Sequence, residues 1–267
     1  EVWCYTPRYS FRAGDTIDFH MHSTRPQVEI EIYREGTEQE TVFQRANIPV
    51  ERANTPDQPH INGCGWPVAL RIPVPETWRS GFYVVIVRVR DDDGGVFERE
   101  HFFVVNPTSP AKNSRIAFIV STATMNAYND WGGGNSYHGE GGTPRLKKPN
   151  ARTSLRRPWS RGLVKMPPGA PRAVSTQELP PFAPPHLPAH PYARHYGFAR
   201  DYADASWALY GKLFIDWAEA NGYALDYYTQ HDLNDTPQTL VPYRLSIVVG
   251  HDEYSSWPMR EAIEHQL

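Results

Sequence analysis

Cysteine is almost missing from this chain: only Cys4 and Cys64 occur in 267 residues. Two such residues give neither a metal-ligand spacing nor a disulfide framework. The simpler reading is two free, half-buried thiols in a reducing compartment, with a single bridge between them the alternative. No apolar run approaches the ~20 residues that span a bilayer, and no stretch has the layout of a secretory leader. A cytoplasmic protein without membrane contact is therefore expected. Charge of one sign is also scarce. The formal net charge is −3, which offers no strong positive field to a nucleic acid. Three motifs are missing as well. There is no Gly-x-Ser-x-Gly elbow, no Gly-x-Gly-x-x-Gly after a strand, and no Lys-Ser/Thr closing the glycine run at Gly132-Gly133-Gly134. Serine-hydrolase, dinucleotide and P-loop chemistry are set aside on these grounds.

Proline and aromatic residues are plentiful, with 25 Pro, 15 Tyr and 8 Trp. Proline resists helix interiors and central strands, so much of the chain must be fixed loop. Residues 1–106 read as antiparallel β. Residues 28–33 and 83–90 alternate apolar and polar side chains, and Asp91-Asp92-Asp93-Gly94-Gly95 forms a turn before strand composition resumes at 96–105. Turn signals recur and no long helical period occurs, so an immunoglobulin-like β-sandwich is expected. Residues 107–114 read as a linker, opened by Asn106-Pro107-Thr108-Ser109-Pro110.

Residues 115–267 have a different pattern. The run 115–120 is continuously apolar after Arg115, as in a strand buried on both faces. A long aperiodic segment follows, and a packed, functional loop is the expectation there. Trp207, Tyr210, Phe214 and Trp217 then repeat at helical spacing, and Asn221-Gly222 is a helix stop. Residues 224–229 and 245–249 read as strands, with a short helix starting at Asp235-Thr236-Pro237 and a last helix running from near Trp257 to Leu267. This order is that of a doubly wound parallel α/β sheet. Such sheets usually have five or more strands, so the domain is expected to be incomplete at its C-terminus, and either a companion chain or a further segment is expected to complete it.

Two polar loops leave the carboxyl ends of expected parallel strands, where open α/β sheets bind ligands. One is Gly250-His251-Asp252-Glu253-Tyr254, and the other runs from Asn126-Ala127-Tyr128-Asn129-Asp130-Trp131 through the glycines to Tyr137. Proton transfer or metal binding suits these residues; helix capping suits Asp252 and Glu253 equally well. Arg152, Arg156, Arg157 and Arg161 around Pro158-Trp159 suit anion or interface contacts, with solvated surface the simpler reading. His186, His190 and His195 share a loop without metal-ligand spacing, and the simpler place for His231 is a surface turn.

Together these motifs resemble the large (beta) subunit family of N,N-dimethylformamidase. The carriers are Ser80-Gly81-Phe82-Tyr83, Ala127-Tyr128-Asn129-Asp130-Trp131-Gly132-Gly133, the stretch 217–228, and 250–254 with Trp257 and Met259-Arg260. The resemblance implies a second domain of the glutamine-amidotransferase type. It also implies a mononuclear, ferric iron site of two tyrosines and one glutamate that hydrolyses the C–N bond of a small amide through activated water. Glu253 and Tyr128 match the glutamate and the first tyrosine. Tyr196 is the first choice for the second, with Tyr192 and Tyr137 behind it; alignment of that position with Trp159 would mean a lost ligand. In that setting His251 would move protons and Asn129 would bond substrate. An oligomer is expected. The rival expectation is a non-catalytic binding or scaffold subunit that uses both domains to contact protein or carbohydrate.

Overall fold

Period-two patterning is what builds the N-terminal half. In β3 (Thr16–Ser23) Ile17, Phe19 and Met21 point inward, and in β4 (Gln27–Arg34) Val28, Ile30 and Ile32 do the same. The computed structural model describes residues 1–138, 150–166, 168–170 and 189–266. β3 lies between β1 (Val2–Tyr5) and β6 (Val68–Pro73) in an antiparallel three-stranded sheet. The second sheet has the order β2-β8-β7-β4-β5, formed by β2 (Ser10–Phe11), β8 (Val96–Val105), β7 (Gly81–Arg90), β4 and β5 (Glu40–Pro49). Leu70 and Ile72 from the first sheet pack with Ile32, Val85 and Phe103 from the second, closing a two-sheet sandwich. Tyr83 near the start of β7 donates its hydroxyl to the Arg79 carbonyl at 2.7 Å, a corner contact found in many sandwiches. Cys4 and Cys64 are buried and unbridged. Burial pushes both thiols up, Cys64 to about 12.

The alternation expected of residues 83–90 begins only at Arg88. From Gly81 to Val87 the strand is buried on both faces. The reason is a second core on the outer face of the five-stranded sheet. There Phe82, Val84 and Phe102 pack with Phe118, Trp159, Trp207 and Tyr227 from beyond residue 115. Phe82 and Trp207 stack at 3.7 Å between centroids, 3° from parallel. The boundary between the two halves is thus crossed by a shared core, and by a partly buried ion pair of Arg34 with Glu219 at 2.8 Å.

The third sheet is parallel, with β9 (Ile116–Val120) between β10 (Asp226–Thr229) and β11 (Leu245–Val248). Short helix α1 (Pro59–Asn62) belongs to the sandwich half; α2 (Thr122–Tyr128), α3 (Ala189–Tyr196), α4 (Tyr202–Ala205), α5 (Gly211–Ala220), α6 (Gln230–Asp235) and α7 (Trp257–Glu264) follow β9. One face of the parallel sheet packs Ile119 and Tyr228 against Leu233 of α6 and Met259 of α7. The other presents Phe118 and Tyr227 to α5 and to the outer face of the sandwich. Helices alone would cover both faces of a doubly wound sheet; here a β-sheet shares that task.

Two helix expectations change. Trp207 and Tyr210 precede α5, whose buried residues are Gly211, Ile215 and Ala218, while Trp217 turns outward against Tyr223. The residue spacing is helical, but Trp207 is drawn away by its stack on Phe82. The last helix ends at Glu264, where the Gln266 amide turns toward the Leu240 and Tyr243 carbonyls. No helix among the described residues is long and apolar enough to cross a membrane.

Candidate active site at the strand ends

The parallel register places the carboxyl ends of β9, β10 and β11 side by side. Gln230, directly after β10, ties the other two loops together. Its Oε1 accepts from Ala123 N at 2.9 Å, and its Nε2 donates to Tyr254 O at 3.0 Å and to the Asp252 carboxylate. Thr124 in α2 accepts from Glu253 N at 2.9 Å, so the first helix after β9 also holds the loop after β11. Gly250 is required at the entry to that loop. Its φ is +87°, and a Cβ there would lie 2.6 Å from the Tyr210 ring.

Glu253 is the meeting point. Tyr128 donates to its two oxygens at 3.0 and 3.2 Å, and Tyr137 donates to Oε2. The Tyr128 and Tyr137 rings are 4.6 Å apart. His251 lies with Nδ1 3.4 Å from Glu253 Oε1, and its ring stacks on Tyr210 at 6.2 Å. Partial burial and the bond to Glu253 push the Tyr137 phenol far above the ordinary tyrosine range. Glu253 and His251 are each about 41% exposed, so the cluster is open to solvent. Beside it a narrow cavity of about 20 Å³, room for about one water, is lined by Met125, Ser206, Tyr210, Val249 and His251.

Tyr128, His251 and Glu253 are therefore together, as the sequence leads one to expect. Tyr196 is elsewhere. It sits half-exposed at the end of α3, against Tyr192 and His195, and Tyr192 bonds the Pro168 carbonyl. Among the described residues, the phenols that bond Glu253 are Tyr128 and Tyr137. Trp159 is fully buried in the core between the halves. Asn129 serves its own loop rather than a substrate: fully buried, it donates to Pro158 O at 2.9 Å and accepts from Ser160 N at 3.0 Å and Trp131 N at 3.2 Å. Arg157 is no surface residue. It is buried, bonds no carboxylate among the described residues and donates to the carbonyls of Asn126, Trp131 and Ser154. His231 bonds Thr122 Oγ1 at 2.8 Å behind the site. His186 and the side chain of His190 lie outside the described residues.

Among the described residues no group of three or more His, Cys, Asp and Glu side chains is disposed to hold a metal ion. The Glu253 cluster differs in drawing two donors from tyrosine. Two phenols and one carboxylate form an all-oxygen set, the kind suited to a hard cation. Loss of the two phenolic protons now shared with Glu253 would leave two phenolates beside one carboxylate. The donor chemistry thus fits the iron that the family resemblance implies.

Fold and site together define a β-rich protein with a short parallel sheet and a tyrosine–glutamate cluster at its strand ends. The chain belongs to the family described as N,N-dimethylformamidase beta subunit-like, C-terminal, whose sequence pattern matches residues 28–267. It is 29% identical over 213 residues to the N,N-dimethylformamidase beta subunit of an Alcaligenes species. That match covers 78% of this chain and 26% of the relative, so the chain spans about a quarter of the relative's length. Two solved structures show a slight resemblance. Murine CRIg has a TM-score of 0.28 and 16% identity, covering 41% of this chain and 99% of CRIg. CopC from Methylosinus trichosporium OB3b has a TM-score of 0.23 and 19% identity, covering 40% of this chain and 96% of CopC.

Proposed function

We propose that this chain carries the active site of an iron-dependent amidohydrolase that cleaves the C–N bond of a small amide. The observation that carries this reading is the convergence of Tyr128 and Tyr137 on Glu253 beside His251. Those three oxygen donors would hold a single ferric ion. When bound, the ion would supply Lewis acidity, polarising the amide carbonyl and lowering the pKa of a coordinated water. His251 would do the proton work. Attack of water on the carbonyl releases a proton, and departure of the amine requires one; a partly exposed imidazole beside the cluster can accept the first and deliver the second. Tyr210 stacks on that imidazole and holds its plane, while Gln230 and Thr124 fix the loop that carries it. Tyr137 replaces Tyr196 as the second tyrosine in this proposal. A doubly wound domain of the glutamine-amidotransferase type, completed by further chain or by a companion subunit in an oligomer, is part of the same reading.

The test is to load the folded chain with ferric iron and record its visible spectrum. A tyrosinate-to-iron absorption band is expected, lost in Glu253→Gln with the unfolding midpoint unchanged. A folded protein that stays colourless overturns the proposal. One observation favours a second reading, a non-catalytic docking subunit. Trp257 on α7 is 74% exposed, and among the described residues β11 is an edge strand with Leu245 49% exposed. Amide hydrolysis that depends on His251 in the iron-loaded protein would exclude that reading.

A further inference from the structure

Tyr128 and Tyr137 act on one carboxylate from opposite ends of a loop, and their side chains alone do not fix their separation. The backbone between them does. α2 ends at Tyr128, so its last carbonyls lack the i+4 partners of a continuing helix, and Asn126 O keeps only a long bond from Asn129 N at 3.3 Å within the helix end. Buried and loop groups take three of them. Arg157 Nη2 donates to Asn126 O at 3.2 Å, Ser136 N to Ala127 O at 3.0 Å, and Asn135 Nδ2 to Tyr128 O at 3.1 Å. The opposite end of the Asn135 amide accepts from Tyr137 N at 2.9 Å and from His138 N at 2.8 Å. Asn135 is fully buried. One side-chain amide thus bonds the main chain of both tyrosines. Its orientation is set by its partners: a carbonyl needs the NH2 group, and two N–H groups need the oxygen.

We infer that Asn135 is a positioning residue for the Glu253 site, a buried clamp that sets the Tyr128–Tyr137 pair by bonding Tyr128 O and Tyr137 N with one amide. The inference rests on reading Tyr128, Tyr137 and Glu253 as one site. Removing the amide leaves a buried carbonyl, the buried His138 N–H and the partly buried Tyr137 N–H without this partner, and the loop must shift to satisfy them. Asn135→Asp is the sharper variant. It keeps the acceptor for Tyr137 N and His138 N but sets a carboxylate oxygen against the Tyr128 carbonyl, where a donor is needed.

The test uses the metal-free chain and a metal-independent readout. Photo-oxidation with a ruthenium trisbipyridine sensitiser and persulfate joins neighbouring phenols as dityrosine: each ring gives one electron, by way of the sensitiser, to persulfate, which is reduced to sulfate, and one proton to solvent as a C–C bond forms. The Tyr128–Tyr137 and Tyr192–Tyr196 rings are each 4.6 Å apart, so the second pair, on α3, is an internal control. In Asn135→Asp and Asn135→Ala the first cross-link, quantified by peptide mass spectrometry, is expected to fall at least fivefold relative to the second. Ferric affinity is expected to weaken at least tenfold. A ratio unchanged from wild type overturns the inference. Where Asn135→Ala does not fold, the ratio in Asn135→Asp decides. Wild type that cross-links but never binds ferric iron overturns the proposed function alone, and the cross-link ratio still judges the clamp.

Discussion

One face of the five-stranded sheet is mainly aliphatic, with one stacked group of Trp78, Tyr83 and Phe103, and is covered by the three-stranded sheet; the other is richer in rings and is covered by the parallel-sheet half. On the first, Ile30, Ile32, Val85 and Val87 follow strand alternation. On the second, Phe82 lies between Phe102 at 4.6 Å and Trp207 at 3.7 Å, and Trp159 stacks on Phe102 at 5.2 Å. The aliphatic face closes a core drawn from residues 2–105 alone. The aromatic face joins segments more than 100 residues apart into one core. Burial of wide rings ties the half that carries the candidate site to a rigid sheet. The strand ends themselves are held differently again, by buried polar side chains such as Gln230, Asn129, Asn135 and Arg157.

The sharpest way to break this comparison is to remove a ring. Trp207→Ala should cost about 3–5 kcal/mol, as loss of a large buried aromatic does. Chemical denaturation should still show one transition, because the halves share a core; a separate, unshifted sandwich transition would show that the aromatic face is only a contact between independent units. Glu219→Ala should cost about 2 kcal/mol, less than a fully buried pair because Glu219 is a quarter exposed while Arg34 stays buried with its charge uncompensated. A loss below ~0.5 kcal/mol would class the pair with surface salt bridges.

Acid tests the sandwich separately. Burial pulls His101 down from 6.5 to about 3, and its Nε2 lies 2.9 Å from Thr6 Oγ1. Between those values the unfolded chain binds a proton that the folded chain does not. Stability present above pH 6.5 is therefore lost as pH falls toward 3, at a slope of up to about 1.4 kcal/mol per pH unit. His101→Gln should flatten the slope of the unfolding free energy over this window relative to wild type; an equal slope would place the lost stability in other groups. The smallest effect is expected from Tyr196→Phe, which should leave ferric affinity within twofold of wild type, whereas Tyr137→Phe should lower it at least tenfold. The reverse order in a ferric titration would restore Tyr196 as the ligand.

Much of the sandwich is legible in order. β4 follows from alternation, and the β7–β8 hairpin from Asp91 to Gly95, where Gly94 adopts φ +84°. The double burial of β7 is not, because nothing in residues 81–87 names Trp207 as a partner. At the site, Glu253 and His251 are legible because a polar loop directly follows an apolar strand, and Tyr128 because its loop follows another. Tyr137 ranks behind Tyr196 from sequence because no residue period orients either, although Tyr196 closes α3 in the structure. Gln230, Thr124 and Asn135 carry no sequence signal beyond a polar side chain near a strand or helix end. Arg157 reads as surface because arginine seldom lies buried, yet four carbonyl contacts, to Asn126, Trp131, Gly134 and Ser154, satisfy its guanidinium.

What the sequence determines by itself is local: which runs become strands, where turns and helix stops fall, and which polar residues stand at strand ends. Those follow from side-chain periodicity, glycine freedom and capping chemistry within a few residues. Tertiary structure alone decides which tyrosine meets Glu253, that Asn129 and Arg157 face backbone rather than ligand or solvent, and that two topologically different halves share one core. Each of those outcomes depends on hydrogen bonds and ring contacts between segments distant in sequence, whose relative placement no local pattern encodes.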